Sequence, residues 1–545
     1  MKITAKESSM NFFKLLVLDV LIFAPCLCGF ASFYGTTVTP IAQGRLRDRR
    51  GVSMIVRYSL IHRTMSALQK KTKVVATIGP TSDNERTLTA MVKAGMNVVR
   101  LNFSHGEHEG HEKVVKLVRH VAKKTKTPLA IIQDLSGPKI RIGDFYQDRI
   151  ILKKGSKFTL TTKKCIGDEN IAWVNYAKLP KEVKKGMMIL LDDGRKKLEV
   201  LSVQGHEIHC RVLVGGETKG RRGVNVPGAL LSLSSLTEKD RTDVLFGIKH
   251  DVDYVALSFV RQVSDVEDLR AILLKERPDV GIIAKIETQE AVENIDGIIE
   301  AADGIMVARG DLAVEVPPQR VPILQKMIVA KCNRAGKPVI IATQMLESMI
   351  RSSVPTRAEV SDVANSILDG ADAVMLSEET ALGEYPVEAI SMMTQVADMI
   401  EQNYPHQEII QGEITTGGRR GSETEREIVD AVTFNVVNTA YEVGAKAIVA
   451  LTESGSTARM VSRYRPKQAI IAMSPNSKSA NKLVLSFGCI PVEISPFNYV
   501  GQVMNTVRKH VLARKIAKKG DKVVIVAGVP FGKRGGTNLL IVEVI

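Results

Sequence analysis

Between Thr72 and Ser377 the chain alternates short runs of apolar, largely β-branched residues with longer stretches of helical periodicity, and no other feature narrows the possible folds as far. The runs are Lys73 to Ile78, Val98 to Phe103, Leu129 to Leu135, Tyr254 to Phe259, Gly281 to Glu287, Gly304 to Arg309, Pro338 to Thr343 and Ala373 to Ser377. Between them lie helical patterns such as Glu85 to Ala94, Thr237 to His250, Val263 to Glu276, Ile323 to Ala335 and Ala358 to Leu368, several of them ending at glycine. Strand and helix in strict alternation imply βαβ units and a parallel sheet, and eight such pairs predict a TIM-type (β/α)8 barrel.

The regularity fails between Gly137 and Pro227. There the pattern is all-β, with turn signals at Asp192-Asp193-Gly194 and Gln204-Gly205 and no helix expected. We read a small β-barrel domain inserted after the third strand, where it would lie over the catalytic face and serve as a lid. After Gln402 a polar, glycine-containing linker runs through Gly421. A second α/β series follows, with a helix from Glu425 to Val443 and strands at Ala447 to Leu451, Ala469 to Met473, Lys522 to Ala527 and Leu539 to Val544. The expected division is an amino-terminal extension (1–64), a barrel in two parts (65–137 and 228–403), the inserted lid (138–227) and a carboxy-terminal α/β regulatory domain (404–545).

Composition removes several classes of function. The formal charge is +16, but the basic residues are scattered and a single tryptophan offers no stacking platform, so we expect anionic small substrates and no nucleic acid. Cys26, Cys28, Cys165, Cys210, Cys332 and Cys489 are dispersed without paired spacing, which argues for reduced thiols and against structural zinc. In the extension, Lys2, Lys6 and Lys14 precede an apolar run from Leu15 to Phe33 broken by Asp19, and Arg45 to Arg63 is arginine-rich. That order resembles a secretory signal, or a signal followed by a transit peptide. The preferred alternative is a start at Met65, directly before the first strand, which gives a cytoplasmic expectation. No later segment has the length and apolarity of a membrane span, so no membrane partner is expected.

Polar residues at the carboxy ends of barrel strands carry the chemistry in this fold. The second strand ends in Arg100-Leu101-Asn102-Phe103-Ser104-His105 and the third in Asp134. The fifth ends in Lys285-Ile286-Glu287, the sixth in Arg309-Gly310-Asp311, the seventh in Thr343-Gln344 and the eighth in Ser377-Glu378-Glu379. One such residue could be an ion pair closing the barrel mouth. Six strands doing so point to a site. Two acids (Glu287, Asp311), a lysine and an arginine suit a hard divalent cation and a phosphorylated substrate. The residues by themselves do not name the reaction.

Thr77-Ile78-Gly79-Pro80, Asn102-Phe103-Ser104-His105-Gly106, Ile283-Ala284-Lys285-Ile286-Glu287, Met306-Val307-Ala308-Arg309-Gly310-Asp311-Leu312, Ala342-Thr343-Gln344-Met345-Leu346-Glu347-Ser348-Met349 and Pro355-Thr356-Arg357-Ala358-Glu359 stand in the order of the pyruvate kinase family, which the chain resembles from about Thr72 to Ile545. The resemblance implies phosphoryl transfer from phosphoenolpyruvate to ADP. It implies that Glu287 and Asp311 bind Mg²⁺ or Mn²⁺, that Lys285 lies against the moving phosphoryl, and that Arg100 holds the phosphate. The backbone amides of Arg309, Gly310 and Asp311 would meet the substrate carboxylate, and a water chain through Thr343 and Ser377 would protonate the enolate. Pro80, Arg100, His105 and Arg222 would border the nucleotide. A homotetramer is also implied.

Some positions depart from the family pattern. Arg222 stands where a lysine is common, and Glu378 replaces a small residue. Gly137-Pro138-Lys139-Ile140-Arg141 replaces Gly-Pro-Glu-Ile-Arg, and Leu135, Ser136 and Ile142 replace its polar companions. At the monovalent-cation position, formed by Asn102, Ser104, Asp134 and Leu135, the Lys139 ammonium would then take the place of K⁺, so K⁺ is not expected to be required. The alternative is that Lys139 pairs with Asp134. In the last domain, Thr452-Glu453-Ser454-Gly455-Ser456-Thr457 would bind a phosphorylated effector, with Glu453 favouring AMP or a sugar monophosphate over a bisphosphate; a simple capped helix start is the alternative. Two readings compete with the whole assignment. The inserted and last domains argue against an aldolase or dikinase barrel, and the retention of Arg100, Lys285, Glu287 and Asp311 argues against a non-catalytic nucleotide-binding protein.

Overall fold

The structure, a computed structural model, describes residues 70–229, 231–406, 424–496, 499–530 and 536–545. The targeting-like extension, Cys26, Cys28 and most of the expected linker therefore lie outside the described residues. Three strands precede the insert: β1 (Lys73–Thr77), β2 (Val98–Asn102) and β3 (Ala130–Asp134). Within the insert run β4 (Arg149–Leu152), β5 (Lys157–Thr161), β6 (Ile171–Trp173), β7 (Met188–Leu191), β8 (Lys196–Gln204), β9 (Glu207–Val214), β10 (Gly216–Lys219) and β11 (Val224–Asn225). Five more follow, β12 (Tyr254–Leu257), β13 (Gly281–Ile286), β14 (Gly304–Ala308), β15 (Val339–Ala342) and β16 (Ala373–Leu376), and these close with the first three into a barrel in the order β1-β16-β15-β14-β13-β12-β3-β2.

Alternation along the strands divides the barrel into two cores, because successive side chains of a strand point to opposite faces. Val75, Val98, Ala130, Ile132, Ile283, Met306, Ile340, Ala342 and Met375 form one buried cluster inside the barrel. Their chain neighbours Val74, Ala76, Val99, Ile131, Ile282 and Ala284 belong to a second, with Met91 and Ile328 from the helices, in the layer between strands and surrounding helices. Those helices are punctuated as the sequence suggests. Thr237 and Thr356 cap helices Glu238–Lys249 and Arg357–Leu368 through reciprocal bonds with Asp240 and Glu359.

The insert is built from a six-stranded sheet, β11-β7-β8-β9-β5-β6, and a two-stranded ribbon, β10-β4, around its own apolar core. It contains one helical turn, Leu179–Glu182, where the sequence reading expected no helix; Pro180 in the first turn presets the backbone there. The last domain has five strands, β17 (Ala447–Leu451), β18 (Ala469–Ser474), β19 (Cys489–Glu493), β20 (Lys522–Ala527) and β21 (Leu539–Val544), in the order β19-β18-β17-β20-β21. All neighbours are parallel except β20 and β21. Separate apolar clusters cover its two faces, as a doubly wound sheet requires. Strand β19 was not expected, since Pro491 interrupts it; an edge strand tolerates proline because one side needs no partner.

The last domain plugs the barrel's amino-terminal end. Val484 and Leu485 join the cluster inside the barrel, and the Tyr254 hydroxyl donates to the Lys482 carbonyl at 3.0 Å. At Gly336 (φ 64), where helix Val321–Ala335 ends, a Cβ would meet the sulfur of Met460 at 2.6 Å, so glycine permits the close approach as well as the turn. The polar centre of this interface is Asp372. Its Oδ1 and Oδ2 accept from Arg465 Nη1 and Nη2 at 2.9 Å each, and they also receive the amides of Phe487 (2.9 Å) and Val339 (3.1 Å). Removing one partner of a buried pair leaves the other charge unpaired, which costs about 3–5 kcal/mol. Arg465→Met should therefore lower the free energy of the first unfolding transition in urea by about 3 kcal/mol or more; a loss below about 1 kcal/mol, the range of exposed pairs, would show that Asp372 does not depend on it.

Candidate active site

The two-residue period that fills the barrel also chooses which rim side chains face its mouth. Lys285 and Glu287 have the same parity as the inward Ile283, Arg100 that of Val98, Asp134 that of Ile132, and Ser377 that of Met375. Tall apolar layers stop one residue short of the carboxy end on these strands, and charged groups take the final layer. They meet there. Arg100 Nε lies 2.6 Å from Asp134 Oδ2, and Lys285 Nζ lies 3.2 Å from Asp134 Oδ1 and 2.9 Å from Glu287 Oε1. Arg100 Nη1 also donates to the Thr77 hydroxyl at 3.0 Å.

These contacts set the charge states. Burial works against the Lys285 ammonium, but Asp134 and Glu287 outweigh it and hold the group above its ordinary value. Burial likewise opposes ionisation of Asp134, yet Lys285 and Arg100 keep its carboxyl below the usual range. Glu287 is pushed up, first by burial and also by Asp311, against the pull of Lys285; its Oε2 accepts from the Phe259 amide at 2.8 Å. A cation shared by Glu287 and Asp311 would relieve the repulsion between them. Their all-oxygen, two-carboxylate set fits a hard divalent ion that draws its remaining ligands from substrate and water. Among the described residues no group of three or more His, Cys, Asp or Glu side chains is placed to hold a metal, so the protein's share would be these two carboxylates.

Two supporting residues were missed by sequence reasoning. The Ser258 hydroxyl accepts from Lys285 Nζ at 2.7 Å and donates to the Leu135 carbonyl at 2.7 Å. It sits inside an apolar run, and only the fact that it shares the parity of Ala256 could have flagged it. Asp362, on helix Arg357–Leu368, binds both Arg309 Nη1 and Nη2 at 2.7 Å and turns that side chain along the barrel wall. Thr77 was legible only as part of a motif.

At the seventh strand Thr343 and Gln344 adopt φ of 71° and 53°. A β-branched residue in the left-handed region is strained by roughly 1–3 kcal/mol, and its surroundings must hold it there. They do so through the Thr343 hydroxyl, which accepts from Gly310 N at 2.8 Å and donates to the Ala342 carbonyl at 2.6 Å, and through Arg309 Nη2, which donates to the Thr343 carbonyl at 2.8 Å. The Gly310 amide is therefore already engaged, while the amides of Arg309 and Asp311, in the first turn of helix Arg309–Glu315, have no acceptor within that helix. Ser377 donates its amide to Glu379 Oε2 at 2.7 Å.

Above the rim opens a cleft of about 600 Å³ between barrel and insert. His105, Asp311, Lys139, Arg222 and Glu378 line it; Pro80 is exposed but is not among its lining residues. Arg222 Nε stands 3.4 Å from Asp192 Oδ1. Lys139 is exposed to the cleft and does not pair with Asp134, whose oxygens are taken by Arg100 and Lys285. Asn102 Oδ1 accepts the Ser104 amide at 3.2 Å, and Leu135 is buried. The insert touches the site's own helix, since Asn225 Nδ2 donates to Glu315 Oε1 at 2.9 Å. Far from the rim, the loop Thr452–Gly455 leads from β17 into helix Ser456–Ser462. Gly455 there has φ 85°, the Thr452 hydroxyl is buried without a partner, and the Thr457 hydroxyl lies 2.9 Å from that of Thr537.

Comparison with known proteins covers both parts of the chain. The family described as pyruvate kinase, barrel domain, matches residues 69–390, and the one described as pyruvate kinase, alpha/beta domain, matches residues 430–543. The pyruvate kinase of Geobacillus stearothermophilus is 47% identical over 481 residues, covering 88% of this chain and 81% of that one. The pyruvate kinase of Clostridium acetobutylicum is 44% identical over 478 residues, 87% of this chain and all of that one. Among solved structures, a pyruvate kinase from Cryptosporidium parvum superposes with a TM-score of 0.83 at 36% identity, over 88% of this chain and 97% of that chain.

Proposed function

From the premise that the chain belongs to the pyruvate kinase family and is an enzyme of that activity, moving a phosphoryl group from phosphoenolpyruvate to ADP, we propose how its own residues divide the work. The observation that carries the reading is the inward-facing Lys285, held charged between Asp134 and Glu287 at the barrel mouth. Its ammonium faces the phosphoryl as the bond to the enol oxygen breaks and the bond to a β-phosphate oxygen of ADP forms. Fixed charge in a water-poor site stabilises that transition state without reorganisation. Arg100, steadied by Asp134 and Thr77, holds the phosphate in line. Glu287 and Asp311 would hold Mg²⁺ or Mn²⁺, which would supply Lewis-acid neutralisation of the substrate's oxygens.

The amides at Arg309, Gly310 and Asp311 receive the substrate carboxylate, and Gly310 does so once Thr343 Oγ1 lets go of its N–H. The enolate left behind takes a proton at carbon. Thr343 is a poor acid near neutral pH, so the proton travels through water ordered by Thr343 and Ser377. Pro80, Arg100, His105 and Arg222 border the nucleotide, with the insert (138–227) as lid over the barrel (65–137 and 228–403). Pyruvate release that depends on both ADP and Mg²⁺ in a coupled assay tests the whole assignment. Pyruvate release that does not respond to ADP would refute phosphoryl transfer to the nucleotide, and no turnover would indicate a binding protein.

The carboxy-terminal domain (404–545) is regulatory in this reading, its effector a phosphate monoester at Thr452, Glu453, Ser454, Gly455, Ser456 and Thr457. The unpartnered Thr452 hydroxyl supports this. The assembly is a cytoplasmic homotetramer. At sub-saturating phosphoenolpyruvate, AMP or a sugar monophosphate should raise the rate, in a species whose light-scattering mass is that of four chains; activation by fructose bisphosphate alone refutes the effector assignment.

For Lys285→Met we expect turnover to fall by about 10³-fold or more with Mg²⁺ and phosphoenolpyruvate binding largely kept, since the lost charge matters most in the transition state. Turnover within tenfold of the parent would sink the role given to Lys285.

We also expect no need for potassium. Lys139 is free of any acid among the described residues and lines the cleft, so a fixed ammonium can supply the charge that a diffusible cation would otherwise bring. The test is the steady-state rate with Mg²⁺ in tetramethylammonium buffer, with and without about 100 mM K⁺, near physiological ionic strength. Stimulation above roughly tenfold, about 1.4 kcal/mol of transition-state stabilisation, overturns it.

A further inference from the structure

Away from the catalytic rim, at the opposite end of the barrel, a small cavity of about 10 Å³ lies between the barrel and the last domain. Four of its lining residues are cationic, namely Lys337 from the barrel and Arg459, Arg463 and Arg465 from the last domain, and Asp372 is its only acid. Arg465 is matched by Asp372, and Arg463 by Asp430 at 2.9 Å. Lys337 and Arg459 have no ion pair among the described residues; Lys337 Nζ donates to the Glu300 and Ala302 carbonyls and Arg459 Nη1 to the Ser454 carbonyl at 3.3 Å. Two positive charges are thus left over at a mostly buried interface, a costly state unless something negative offsets them.

A second observation points the same way. Arg465 Nε, Arg463 Nε and the Ser486 hydroxyl are buried without a hydrogen-bond partner, and all three residues line this cavity. Arg465 and Ser486 are each only 2% exposed. Buried donors are nearly always satisfied, so unsatisfied ones sharing a cavity mark a missing acceptor. A single water can accept two hydrogen bonds and brings no charge; an anion can accept from all three and neutralises the excess. Burial, with the fields of Arg459 and Arg270 added, holds the Lys337 ammonium below its ordinary value even though Asp303 and Glu300 oppose the shift.

We propose that this cavity is a binding site for one small inorganic anion, of halide size, which bridges the base of the barrel and the last domain. The site is independent of the catalytic reading. Because a ligand that binds only the docked, folded state stabilises it by mass action, occupancy should show as stability.

The test uses the full chain. In crystals soaked in bromide, an anomalous peak should lie inside the cavity. In solution, the melting midpoint should rise saturably with bromide, by about 3 °C over gluconate at equal ionic strength. In Arg459→Met and Lys337→Met that rise should shrink to less than half. An ordered water with no anomalous signal at saturating bromide would overturn the proposal, and so would an unchanged rise in both variants, which would mark a general salt effect. If neither variant folds, the bromide experiment on the parent chain decides.

Discussion

The two-residue period of the barrel strands is the constraint on which the rest depends. Closing eight parallel strands into a ring sends every second side chain into a shared interior, and that interior must be filled. Val75, Ile132, Ile283, Met306 and Ile340 fill it with apolar volume. On the same strands, one pleat further towards the carboxy end, Arg100, Asp134 and Lys285 inherit the inward direction without a choice. The geometry that packs the core also aims the charged groups at a common point.

Once gathered, those charges are interdependent. Asp134 is acceptable in a buried layer because it faces two cations, and Lys285 because it faces two carboxylates. Glu287 is the exception, since burial and Asp311 push its carboxyl up. The site is thus unequally balanced before any ligand arrives, and the imbalance lies where a divalent cation would go. Thr343 stores a second kind of tension, in its backbone, and the Gly310 and Arg309 contacts that hold it join the sixth and seventh strands into one unit.

At the other end of the barrel the last domain closes what the strands leave open. Val484 and Leu485 complete the interior core from outside the barrel's own sequence, and Asp372 collects an arginine and two amides that cross between elements. This arrangement is rich in cations: Asp372 and Asp430 offset Arg465 and Arg463, and the positive charge of Lys337 and Arg459 is left over. The two ends of one barrel therefore carry opposite imbalances, excess negative charge at Glu287 and Asp311 and excess positive charge at the base.

Much of this was written in the sequence. Each of the eight strand runs was placed to within a residue or two, because their apolar, β-branched character and the spacing of the intervening helices are local properties. The rim residues Lys285, Glu287, Arg100 and Asp134 could be read as charges interrupting apolar runs. The sequence reading missed Pro491's strand, which exists only because an edge is available beside β18, and it missed Ser258 and Asp362, ordinary polar residues until folding sets them beside Lys285 and Arg309. It offered Asp134 as a partner for Lys139, and the structure gave that carboxylate to Arg100 and Lys285 instead. Periodicity determines which way a side chain points along its own strand. Which residue from another strand or domain stands opposite depends on register, closure and docking, and only the tertiary structure decides those.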